Sequence, residues 1–298
     1  MKEKLLAIAF ALVLFLPSHA AFASEKETIT NLNLPAGQVD LQTLPLDFQD
    51  ILAQRTAEIN RYFEKIEELK IQTELAEKEV LEQNEFGTLT MNSLSNYNEV
   101  SSELEYYQNN SLEIVGLEKI SNDVHDYIIQ PLSTNTQASV SKPTVYYDND
   151  SQSYVASTDW NWKEVNPDNN NKGRDGIGIH VAQEKISLFD SHVNSWDYNG
   201  NKYSPSNAKE GSANGYHIEF DDNSNGKSYS AHRGTSWMFF RWYDAKPVGK
   251  TVNFNSQYTH TWSGINITGV TVGVTSIGIS FSGSGNNWKT TNYSAIKF

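Results

Sequence analysis

The stretch Asp221-Asp222-Asn223-Ser224-Asn225-Gly226 satisfies D-x-[DN]-x-[DN]-G, the first half of a calcium loop. In such a loop, alternating side-chain oxygens and a turn that only glycine takes easily converge on one ion. The pattern makes Asp221, Asn223 and Asn225 the candidate calcium ligands. Where a complete loop supplies its bidentate glutamate, however, this chain has His232. An Asn-Gly step after a strand is also the ordinary hairpin signal, so a plain turn competes with a partial and weak site. Asp168-Asn169-Asn170-Asn171-Lys172-Gly173 is a looser echo with a lysine in a ligand position, and it reads as a loop.

His217, Glu219 and Asp221 alternate with Tyr216, Ile218 and Phe220. Three such side chains on one strand face could hold a transition metal or exchange protons. The simpler reading is the wet face of an amphipathic strand. His260, between Tyr258 and Trp262, reads as a hydrogen-bonded core histidine rather than a general base in a cleft, and His180 stands alone on the polar side of Ile177, Ile179 and Val181. Nucleophile and metalloprotease signatures are missing: there is no cysteine, no G-x-S-x-G, no H-E-x-x-H and no G-x-x-x-x-G-K. Glycosidase carboxylates have no sequence spacing, so a hydrolase with an unrecognised site is the alternative to a binding protein, and no catalytic residue is assigned.

Aromatic residues supply the remaining chemistry. All seven tryptophans lie after residue 159. Trp196 and Tyr198 share a face and approach the Asn199-Gly200 turn, Tyr203 follows it, and Trp288 adjoins the Gly/Ser/Asn stretch 283–287. Rings beside loops, edged by Asn and Asp, can stack on sugars while polar groups bind hydroxyls. Trp196, Tyr198, Tyr203 and Trp288 are therefore the candidate ligand residues, with cell-wall or other polysaccharide as the partner. Trp160, Trp162, Trp237, Trp242 and Trp262 are assigned to the core.

The elements that carry these residues divide in two. Residues 24–142 hold 21 acidic against 8 basic residues, and residues 143–298 hold 14 against 13. Neither part has the basic stripe that nucleic acid requires. The spacing predicts a helix capped by Asp47 and running to about Asn84, with a stop at Phe86-Gly87. Leu52, Ile59, Ile66, Thr73 and Val80, with Tyr62, Leu69 and Ala76, form a weak heptad seam, readable as a coiled coil or as packing on neighbouring elements. Glu74 and Lys78 make an i,i+4 pair. Tyr97, Val100, Leu104 and Tyr107 mark a second helical face, and Leu117, Ile120, Val124 and Ile128 a third, for which a strand is the alternative.

Beyond a polar stretch at 130–143, taken as a linker, the pattern changes to period two. Tyr154, Ala156, Thr158, Trp160 and Trp162 point one way, as do Val252, Phe254, Tyr258 and Trp262 on a later strand. The run Trp237 to Tyr243 is apolar on both faces apart from Arg241, which fits a central strand covered on both sides. The expected class is α+β: an acidic helical region over 24–129 and an antiparallel β-sandwich over 144–298.

The motifs TVYYDNDSQSYVASTDWNWK, DGIGIHV, YTHTW and the terminal NNWK resemble those of a group of uncharacterised exported proteins of Gram-positive bacteria. The resemblance implies export and the β architecture, and no activity. Residues 1–23 fit export independently: Lys2 and Lys4 precede an apolar run from Leu5 to Leu16, and Ala21-Phe22-Ala23 is a cleavage pattern of small residues. That run is too short for a membrane span, and a cysteine-free chain carries neither disulfides nor a lipidated cysteine. The tail 265–282 alternates apolar residues with Gly, Ser and Thr, which invites comparison with a pore-forming toxin. Its phase flips at Gly269 and Thr275-Ser276, which disfavours a membrane strand.

Overall fold

Helices and strands alternate poorly along this chain, and a computed structural model shows how they combine. It describes residues 32, 34–120, 137–163, 174–203, 208–221, 231–262, 266–273, 276–283 and 286–298. In chain order the elements are β1 (Gly37–Gln38), α1 (Leu46–Glu85), α2 (Met91–Asn110), β2 (Glu118–Lys119), β3 (Ala138–Val140), β4 (Thr144–Asp148), β5 (Ser153–Trp162), β6 (Arg174–Val181) and β7 (Ile186–Trp196). They continue with β8 (Lys202–Tyr203), β9 (Ala208–Ser212), β10 (Gly215–Asp221), β11 (Arg233–Trp242), β12 (Thr251–Trp262), β13 (Asn266–Val272), β14 (Ile277–Ser282) and β15 (Asn286–Lys297). The class is α+β, and residues 33–298 cluster as one compact unit.

Sheet A runs β1-β7-β11-β5-β4-β2, with β3 also on β5 and β8 on β7; sheet B runs β15-β12-β6-β10-β9; β13 and β14 pair only with each other. Among the described residues every pairing is antiparallel except β1 with β7, so sheet A is mixed. Within the stretch expected as a linker, Ala138–Val140 pairs with Trp162–Trp160 and is part of sheet A. Pro143 separates it from β4, which pairs with the same strand, because proline cannot donate to a ladder. Residues 1–31, including the segment expected as a signal, and residues 121–136 lie outside the described residues.

The period-two faces decide the packing. Tyr154, Ala156, Trp160 and Trp162 of β5 share a core with Met238 and Phe240 of β11 and with Ile177, Ile218, Phe254 and Tyr258 of sheet B. The Trp160 ring stacks on Phe220 at 5.3 Å and on Tyr258 at 5.6 Å. A Cβ on Gly234 would overlap that indole, so only glycine lets the ring lie across β11. The opposite face of sheet A is covered by α1: Phe48 meets Phe189 edge-on at 5.2 Å, and Phe63 lies 5.3 Å from Trp237. Burying each such ring is worth about 2–3 kcal/mol. Thus β11 is central and covered on both sides, as its composition suggests. Arg241 sits over the Phe48 and Phe189 rings and donates to the Gln152 carbonyl at 2.9 Å.

Helix α1 begins two residues earlier than its acidic signal implied. Pro45 occupies the N-cap, and Asp47, in the first turn, accepts from the Phe48 amide at 2.9 Å. Proline supplies a fixed φ there, and the carboxylate still favours the positive helix end. Leu52, Ile59, Tyr62, Leu69 and Ala76 of the seam are buried, while Glu67 interrupts it as a buried charge. Gly87 ends the reversal with φ +68°, and Thr90 caps α2 by accepting from the Ser93 amide. Lys78 pairs with Glu82 at 3.8 Å instead of Glu74, which lies 4.0 Å from Arg233. Among the described residues no helix is long and apolar enough to cross a membrane.

Candidate functional site

Charged residues pin α1 to sheet A. Arg55 meets Asp148 at 3.2 Å and also Asp150, at the β4–β5 turn, and donates to the Val115 carbonyl at 3.0 Å. Glu64 pairs with Lys202, and the Glu67 carboxylate accepts from Arg233 Nε. Glu67 is 3 % exposed and Arg233 8 %, so this pair is out of water. Asn194 Nδ2 also donates to Asn60 Oδ1 at 2.8 Å.

Between these anchors a cleft of about 400 Å³ opens against β5, β7 and β11. Tyr62, Phe63 and Ile66 form its helical wall, Trp196 contributes from β7, and Asp159 and Arg233 bring charge from the sheet. Lys70 and Glu74 stand at the helix side, and Gln108 and Ser111 close it near the end of α2. Tyr62 holds this corner by donating to the Tyr107 carbonyl at 3.1 Å.

Asp159 is the distinctive group. It alternates out of the core and stands exposed to water in the cleft, with protein walls close around it. Loss of bulk solvent raises its pKa above the usual carboxylate value, while Lys70 and hydrogen bonds from Thr235 and Ser141 pull the other way. Among the described residues no cation lies within ion-pair distance of it. The cleft therefore pairs an under-neutralised acceptor with aromatic walls, the combination that orients a polar ligand.

The expected ligand residues are not brought together. Trp196, 5 % exposed, lines the cleft and pairs across the ladder with Arg233. Tyr198 is 43 % exposed and meets the His232 ring edge-on at 5.3 Å. Tyr203 is half-buried, its hydroxyl 3.5 Å from Asp197 Oδ2. Trp288 belongs to sheet B, half-buried against Trp162 at 5.2 Å and His260 at 5.4 Å. It lies within β15 rather than in a loop. Asn223 and Asn225 lie outside the described residues, as does the side chain of Asp221; among the described residues no cluster of His, Cys, Asp and Glu could hold a metal.

The wet-face reading of β10 fails at His217. Its side chain is fully buried, and neither ring nitrogen has a hydrogen-bond partner among the described residues. Burial pushes its pKa down to about 3. Glu219, 7 % exposed, reaches Arg174 at 3.6 Å, and burial raises its pKa against that cation. Alternation placed both residues on the polar face correctly, but it could not show that the β13–β14 hairpin covers that face.

His260 is a core histidine. Its Nδ1 lies 2.7 Å from Asp175 Oδ1, the other Asp175 oxygen accepts from the Tyr258 hydroxyl, and that hydroxyl accepts from Trp162 Nε1 at 3.0 Å. A histidine oriented by a carboxylate could serve as a base, but this one is 2 % exposed and Asp175 wholly buried. The network ties β5, β6 and β12 together. His180 is likewise buried, with Asn255 Nδ2 2.9 Å from its Nδ1.

Sequence reasoning missed Asp159, Arg233 and Glu67. The only trace was local: a glutamate among the seam residues of α1, and an aspartate between the inward positions Thr158 and Trp160 of β5. No protein-family model matches the chain, and no curated protein matches it either.

Proposed function

We propose that this chain is an exported, non-catalytic binding protein that holds a neutral, hydroxyl-rich glycan segment in the cleft between α1 and sheet A. The observation that carries the reading is Asp159, a water-accessible carboxylate without an ion pair, facing a cleft walled by Tyr62, Phe63 and Trp196. Pockets for small ligands span roughly 300–1,000 Å³, and the volume here suits one or two sugar rings. Around it the acids Glu67, Glu74 and Asp159 outnumber the bases Lys70 and Arg233, which disfavours an anionic polymer. A carboxylate accepts paired hydroxyl donors well, and the aromatic wall supplies apolar contact for a ring face.

The two larger sheets form the β-sandwich of this reading, supported by the shared core and by the Trp160 stacking across it. Export rests on the n-region, apolar run and cleavage pattern of residues 1–23 and on the resemblance to exported proteins. Calcium at Asp221, Asn223 and Asn225 is a separate, weaker proposal, tested by calorimetry with millimolar calcium and an Asp221→Ala control.

Retention of the chain on immobilised polysaccharides tests the main reading. Neutral polymers should retain it, anionic ones should not, and Asp159→Ala should abolish retention while Tyr198→Ala leaves it intact. Equal retention of wild type and Asp159→Ala would place any binding elsewhere.

A further inference from the structure

We propose that the β13–β14 hairpin is an acid-released flap over the outer face of sheet B, and that protonation of His217 beneath it is the trigger. The hairpin forms its own two-stranded sheet, pairing with neither larger one. Among the described residues a bond from Ser212 Oγ to the Val272 carbonyl at 2.8 Å fastens it. Its buried side chains, Ile267, Val272 and Ile277, are apolar, whereas the sheet face on that side carries the buried polar residues His217 and Glu219 of β10. Apolar groups laid on polar ones release less free energy than a matched core and leave the polar groups dry. Gly178 lies opposite His217 in the ladder, and a Cβ there would come within 2.9 Å of Ile277 Cδ1, so Ile277 sits beside the imidazole. The imidazole itself rests over Gly176, where any Cβ would strike it. It is fully buried and, among the described residues, has no partner to accept or supply a proton.

The charged and titratable groups on the elements around it do not favour a buried imidazolium. Glu219 on β10 is already paired with Arg174 on β6; His180 on β6 is engaged by Asn255; Glu210 lies opposite His217 on β9; Lys289 is on β15; and the described residues of β13 and β14 contribute none. With the flap closed, burial holds the His217 pKa near 3. With it open, water restores the ordinary value of about 6.5. The open form then binds more protons between those limits, so closure is strongest above about pH 6.5 and weakens about tenfold per pH unit below it.

Hydrogen–deuterium exchange of the full chain, corrected for the intrinsic pH dependence of exchange, tests this. Protection of the β13 and β14 amides should fall about tenfold per pH unit between 6.5 and 4.5, while β11 stays protected. His217→Gln should abolish that slope and Glu219→Gln should retain it. A slope that survives His217→Gln, or that β11 shares, overturns the proposal. If His217→Gln does not fold, NMR titration of the wild-type imidazole decides: no titration above pH 5 is expected, and a midpoint near 6.5 overturns it.

Discussion

Arg233 at the start of β11 donates to the carboxylate of Glu67, 166 positions earlier in the chain, and both side chains are buried. This pair joins the acidic helix to the aromatic sheet. Breaking a buried ion pair from one side strands the other charge. Glu67→Ala should therefore lower the unfolding free energy by about 3–5 kcal/mol in urea titrations, and the double replacement Glu67→Met with Arg233→Met should recover most of it. A loss under 1 kcal/mol would show that water reaches the pair.

What the sequence made legible were features in which each residue reports on its own surroundings. The run from Trp237 to Tyr243 is apolar on both faces, so a central covered strand was readable. Asn199-Gly200 marked a real reversal between β7 and β8, and the helix end at Phe86-Gly87 was placed to within a residue. The site was not legible for the converse reason. Asp159 and His217 sit on faces that alternation identifies as polar, but what lies over each face is contributed by a distant segment, α1 in one case and the β13–β14 hairpin in the other. Charge counting separated the front and back of the chain because it sums over residues. It carried no sign that Arg55, Glu64 and Glu67 would find their counterions on strands and turns of sheet A.

Gly200 carries two constraints at once. Its φ of +81° is unfavourable for any L side chain, and an added Cβ would overlap Ile71 Cδ1 of α1. Gly87, at φ +68°, has open space around it. Gly87→Ala should cost about 1 kcal/mol from backbone conformation alone, and Gly200→Ala clearly more. Adding Ile71→Val to Gly200→Ala should recover part of the difference; equal losses at the two glycines would mean that the turn and helix are not in contact.

The Tyr258 hydroxyl links Trp162 to Asp175 beside His260. Tyr258→Phe keeps the ring that stacks on Trp160 but removes both bonds, so thermal and urea denaturation should show a loss of about 1–3 kcal/mol with the fold unchanged by circular dichroism. Full stability would show that the network contributes no net free energy.

Isothermal titration calorimetry with soluble fragments of a retained neutral polysaccharide tests the central claim, comparing wild type with Asp159→Asn. Because reduced solvation in the cleft raises the Asp159 pKa, its ionised form is disfavoured in the fold, and its own contribution to stability declines as pH rises through the folded pKa. The account predicts that Asp159→Asn binds at least about tenfold more weakly at pH 7, through loss of a charged acceptor, while its melting temperature is equal or higher. Undiminished affinity, or weaker binding that merely follows a fall in melting temperature, would contradict it.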